Sequence, residues 1–199
     1  MERAYLARHG ESVFSLRGLT NGDPAVAGGL TDTGREEARR LGMLLADTPL
    51  DLCALSDFQR VRETADLTLE GRNVPRLVLP GLNDIVVGGF EGHSIEEYRD
   101  WARSHEPGDI PPGEGESRVQ VVTRYVAAYR TLLARPEPSI LVVAHALTVR
   151  YILDAVDRRV PAPRVELVPY AEPFAVGAAE LGEALELLDA WTLAPVWRR

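Results

Sequence analysis

The stretch Ala4–Ser12, AYLARHGES, decides how the chain is read. Ala4-Tyr5-Leu6-Ala7 is a short apolar run, and residues 3–7 are predicted as a first buried strand. A histidine ending such a strand stands at the carboxyl edge of a parallel sheet, where α/β proteins bind their ligands. Arg8 can hold an anion in a planar fork while the His9 imidazole attacks it. Gly10 allows close approach of backbone to a ligand. Arg-His-Gly alone is a weak motif. Its weight here comes from its place after a strand and from partners further along.

Working outward, residues 10–30 read as a long loop with several glycines and the turn sequence NGDP. A helix is predicted over about 33–46, capped by Thr31 or Asp32. LDLCALS follows as strand two, and a helix over about 57–70 is capped by Ser56 or Asp57. VPRLVLP reads as strand three, and residues 81–93 are again glycine-rich. Ser94 starts a helix, with Glu97 three positions on. HEPGDIPPGEGE is a loop, and Ser117 starts a long helix to about Leu133. SILVVAH is the most hydrophobic strand and is expected at the centre of the sheet. It ends at His145 and runs into a helix to about Val156. Beyond Pro161, FAVGAAEL and ALELLDAW are two β-capable runs around a Gly-Glu turn. They predict a C-terminal β-hairpin within residues 158–199. The βα alternation predicts a three-layer α/β/α sandwich in one domain, 1–199.

Four further segments join AYLARHGES: LTDTGREEARRLGMLL from Leu30, LSDFQRVRETADLTL from Leu55, PGLNDIVVGGFEG from Pro80, and ILVVAHALTVRYIL from Ile140. As an ordered set, from Tyr5 to about Leu153, they resemble the histidine phosphatase superfamily, also called phosphoglycerate-mutase-like. The resemblance implies a mixed, mostly parallel sheet. It implies His9 as the nucleophile that accepts the phosphoryl group, and Arg8 and Arg60 as phosphate clamps. Arg60 falls in SDFQRVRETA, matching the superfamily pattern SxxxRxxxTA. His145 is implied to bind and stabilise the phosphoryl group. Glycine usually follows that histidine, and here it is Ala146. Asp84 stands where the superfamily generally carries the glutamate that protonates the leaving group. It is one methylene shorter, and Glu11 and Glu91 are rival carboxylates. Ser15 stands where asparagine often contacts phosphate. Asn21 and Gly22, with Thr20, lie in the loop that usually closes over the phosphate. No metal and no other cofactor are implied.

Composition agrees. The chain has 199 residues, 45% of them hydrophobic, enough for a proper core. The formal charge of -8 argues against non-specific binding to nucleic acid or to an anionic membrane. An anionic substrate must therefore be drawn by a local cationic pocket. All 22 basic residues are arginine, which excludes lysine-dependent phosphate loops and Schiff-base chemistry. The single Cys53 can form no internal disulfide and reads as a buried strand residue. No stretch has the length of a signal or membrane-spanning segment, so a cytoplasmic enzyme is expected. Its expected partner is a small phosphomonoester, and a homodimer is compatible with the sequence.

Within the superfamily, the mutase branch uses additional cationic residues, including a lysine, to hold a second phosphate and a carboxylate. NDIVVGGFEG is apolar and the chain lacks lysine, which favours a phosphatase. The alternatives are mutase-type phosphotransfer, a phosphohistidine-protein phosphatase, and a non-catalytic module that binds a phospholigand.

Overall fold

A computed structural model describes residues 1–198. Five strands, β1 (Arg3–Arg8), β2 (Leu52–Leu55), β3 (Arg76–Val78), β4 (Ser139–Ala144) and β5 (Phe174–Gly177), form one sheet in the order β3-β2-β4-β1-β5. The first four are mutually parallel, and β5 runs antiparallel to β1. The sheet is thus mixed and mostly parallel, with the all-buried β4 at its centre. In the β1–β4 register Arg8 lies beside Ala144, so His9 and His145 emerge side by side just beyond the sheet edge. The His9 N–H donates to the Ala144 carbonyl at 3.0 Å.

The helices are α1 (Val13–Leu16), α2 (Asp32–Leu44), α3 (Gln59–Thr68), α4 (Ile95–Arg103), α5 (Arg118–Leu133), α6 (Ala146–Val156) and α7 (Ala178–Leu193). Strand side chains alternate between faces, and the core divides accordingly. Ala4, Leu6, Ile140 and Val142 share one cluster with α5, α6 and α7. Ala7, Cys53, Leu141 and Val143 share the other with α2 and α3. This gives three layers. Burial also pushes the Cys53 thiol up to about 12, far from a reactive thiolate.

Three expectations are corrected. The C-terminal hairpin is one strand, β5, followed by the 16-residue helix α7. Its period is helical: Leu181, Leu185, Leu188 and Trp191 fall on one buried face. Burying each such leucine contributes about 1.5–3 kcal/mol, which outweighs local β preference. The Gly-Glu pair read as a turn, Gly182-Glu183, lies inside that helix. The loop 10–30 contains one ordered turn, α1, in which the Ser15 N–H donates to the Ser12 hydroxyl. Neither Ser56 nor Asp57 caps α3; Phe58 is its N-cap, without a side-chain bond. Asp57 instead pairs with Arg62 on the surface. Ser56 turns inward to the site described next.

Candidate active site

Both histidines sit where parallel strands end, and both are buried. Their rings meet edge to face with centroids 5.4 Å apart. His9 Nδ1 lies 2.7 Å from the Gly10 carbonyl oxygen. A carbonyl only accepts, so Nδ1 carries the proton and Nε2 keeps its lone pair. Burial, together with Arg60 and Arg8, holds His9 well below the usual histidine range. A neutral imidazole with Nε2 free of its own proton is the form a nucleophile needs.

Gly10 has a role that differs from ligand approach. A Cβ there would run into the backbone carbonyl of Gly34 in the first turn of α2. The Gly10 N–H also donates to Thr64 Oγ1 at 3.1 Å, and Thr64 in turn donates to the Arg60 carbonyl at 2.7 Å. These contacts lock the turn after β1 against α2 and α3.

Arg60 stands at the centre. Its Nε donates to His9 Nε2 at 3.2 Å. Its Nη2 lies 3.2 Å from His145 Nδ1, 3.3 Å from Asp84 Oδ2 and 3.1 Å from the Asn21 carbonyl. Its Nη1 bonds to the Asn21 side-chain oxygen. His145 Nε2 is held by Ser56 Oγ at 2.8 Å, which leaves Nδ1 facing the site. His145 is fully buried, and burial with the nearby Arg60 also keeps it well below the usual histidine range. Arg8 stacks on Tyr170, 3.7 Å from guanidinium to ring centroid, and donates to the Val168 carbonyl at 3.1 Å. It has no carboxylate partner among the described residues, so it retains its capacity to take an anion. At the site, the N-termini of α3 and of α6, with Ala146 as its first residue, carry no side-chain cap. Unmet first-turn amides favour an anion there.

Asp84 Oδ2 is also 3.4 Å from His145 Nδ1. Burial raises its carboxyl above the ordinary aspartate range, against the opposing pull of Arg60. A carboxyl biased toward its protonated form can donate that proton. The rivals are engaged elsewhere. Glu91 accepts from the Gly22 N–H at 2.8 Å and from the Asn21 amide at 3.2 Å. Glu11 accepts from Thr31 Oγ1 at 2.8 Å. Ser15 lies on the pocket wall with its hydroxyl 2.9 Å from that of Ser12.

This constellation has relatives. Residues 4–172 match the family model of the histidine phosphatase superfamily (branch 1). The chain belongs to the histidine phosphatase superfamily. Members of that superfamily are enzymes acting on phosphomonoesters. An adenosylcobalamin/α-ribazole phosphatase of Salmonella typhimurium is 34% identical over 135 residues, 64% of each chain. The chain thus spans just under two thirds of that relative's length. A 2,3-bisphosphoglycerate-dependent phosphoglycerate mutase 2 of Gloeobacter violaceus is 32% identical over 187 residues, 85% of this chain and 83% of the relative. The solved α-ribazole phosphatase of Shigella flexneri superposes with a TM-score of 0.72 at 26% identity, covering 87% of this chain and 89% of that one.

Several groups at this superfamily site escape a linear reading. Ser56 has the look of a helix cap, and only the fold brings it under His145. Tyr170 lies beyond the five quoted segments, which end near Leu153, and reaches Arg8 because its own stretch bridges to the end of β1. The cavity beside His9, about 220 Å³, is also lined by Arg99, Arg118 and Arg164. The apolar segment around Asp84 gives no hint of them. They arrive from α4, from α5 and from the segment before β5, so the pocket carries more positive charge than expected. No helix among the described residues is long and apolar enough to cross a membrane.

Proposed function

We propose that the protein hydrolyses the phosphomonoester of a small metabolite through a phosphohistidine at His9. The observation that carries this reading is the bond from His9 Nδ1 to the Gly10 carbonyl, which leaves Nε2 as the unprotonated nitrogen facing Arg60. An entering phosphoryl oxygen replaces His9 as the partner of Arg60 Nε. Arg8, Arg60, His145 Nδ1 and the uncapped start of α6 then surround the phosphoryl oxygens and stabilise charge in the transition state. Nε2 attacks phosphorus, the bond to the ester oxygen breaks, and Asp84 gives that oxygen its proton. Water then attacks the phosphohistidine, passes a proton to the Asp84 carboxylate, and the P–N bond breaks with its electron pair returning to Nε2. The roughly 220 Å³ cavity suits a small leaving group.

Substrate labelled in the phosphoryl group, quenched without acid, should leave acid-labile label on the protein. The label should vanish in His9→Ala. Label surviving in that variant would remove His9 from the role. The likeness to a Gloeobacter mutase along most of the chain supports phosphotransfer as a second reading. Isomerisation of 3-phosphoglycerate that outruns phosphate release would favour it. A panel of phosphorylated metabolites, α-ribazole 5′-phosphate among them, would place the substrate.

A further inference from the structure

Arg118 opens α5, is 8% exposed, and lines the same cavity as Arg8 and His9. It makes no ion pair with a carboxylate among the described residues. Its partners are aromatic: Nη1 donates to the Tyr151 hydroxyl at 3.1 Å, and the guanidinium lies 5.4 Å from the centroid of Tyr98. Its Nε is buried with no hydrogen-bond partner, and so is the hydroxyl of Tyr98, which lines the cavity as well. Burying a cation without a counter-charge is costly, and the Tyr98 ring offsets only part of that. Two buried donors on one wall, each unmet, add a further cost that a ligand could offset. Arg8 and Arg60 already serve the phosphoryl group, and no hydrogen bond links Arg118 to either of them or to the histidines among the described residues. The wall also carries Leu19, Ile95 and Leu147, and Arg164 stands exposed at the mouth.

We propose that Arg118 and the Tyr98 hydroxyl bind a second anionic group, a carboxylate or phosphate, on the leaving group of the substrate. The proposal rests on the phosphatase reading and narrows its substrate class to phosphomonoesters with an anionic tail reached across an apolar stretch. Arg118 acts on specificity and takes no part in the phosphoryl transfer.

The test is a series of alkyl phosphates of increasing chain length. Each is made with a terminal carboxylate, a terminal phosphonate and a terminal carboxamide of matched size. At the best length, kcat/KM for one of the anions should exceed that for the carboxamide by about tenfold to a hundredfold, the usual worth of a charged hydrogen bond. Carboxylate against phosphonate tells which anion is meant. In Arg118→Gln this ratio should fall toward unity, and Arg118→Lys should restore part of it. Because a ratio is read, a general loss of activity does not mimic the effect. Tyr98→Phe removes only the hydroxyl and should lower the ratio severalfold, which keeps the test decisive if Arg118→Gln does not fold. The inference is overturned if p-nitrophenyl phosphate is hydrolysed while no anionic tail is preferred. It is also overturned if the preference survives in both Arg118→Gln and Tyr98→Phe. Failure to hydrolyse p-nitrophenyl phosphate or any member of the series would instead sink the phosphatase reading.

Discussion

Asp84→Asn separates the steps of the proposed reaction. The substitution keeps a side-chain oxygen to accept the Ile85 N–H, now at 3.1 Å, so the local turn has reason to persist. It removes the carboxyl that faces both His145 and Arg60. An alkyl leaving oxygen needs a proton in the transition state, whereas p-nitrophenolate departs acceptably without one. General acid catalysis is worth about 10²–10⁴-fold, or about 2.7–5.5 kcal/mol of barrier. Single-turnover phosphorylation by an alkyl phosphate should slow by that range, and by p-nitrophenyl phosphate far less. Single turnovers are required because the same carboxylate would later activate water. Arg60 loses a counter-charge 3.3 Å away, so inorganic phosphate should inhibit the variant at least as well as the parent. The pH profile carries the sign. The acid must be protonated, and burial raises the Asp84 carboxyl, so the parent's alkyl-phosphate rate should fall as pH rises through that raised value. The asparagine variant should lack this alkaline limb. Equal, small effects on both substrates, with the limb retained, would refute the assignment and return the role to Glu11, Glu91 or another group.

Three further outcomes are expected. Ser56→Ala leaves the fully buried His145 Nε2 without its 2.8 Å partner, and urea unfolding should show a loss of about 1–3 kcal/mol together with lower activity; unchanged stability would mean the bond carries little. His9 and His145 are both held well below the ordinary value of 6.5, so the unfolded chain takes up protons first as pH falls. Stability is therefore complete above that value and should decline below it by up to about 1.4 kcal/mol per pH unit for each histidine. Asp84, shifted the other way, opposes this at lower pH, and the decline should shrink in His145→Gln; an identical slope in that variant would contradict the burial argument. Excess chelator should leave phosphatase activity intact, since Arg8 and Arg60 supply the positive charge that a metal otherwise would. Loss restored by one divalent ion would overturn that expectation.

The strands, most helices and the catalytic candidates were legible because each is a local signal. Apolar runs of strand length announce β1 and β4, and the histidines ending them fall at a sheet edge by the geometry of parallel strands. SxxxRxxxTA is legible as a pattern, although what it does is tertiary: Ser56 holds His145, Arg60 centres the site, and Thr64 ties Gly10 in place. The C-terminal helix is not legible locally, because Leu-Glu-Leu-Leu suits either period over a few residues. Packing of α7 against α5 and α6 decided between them. The linear chain by itself determined the family, the sheet and the candidate nucleophile His9. Which carboxylate faces His145 and Arg60, and which arginines join the pocket, was decided only by tertiary structure. Desolvation and counter-charge depend on neighbours far apart in sequence: Asp84 beside His145, and Arg118 among Tyr98 and Tyr151 with no carboxylate partner among the described residues.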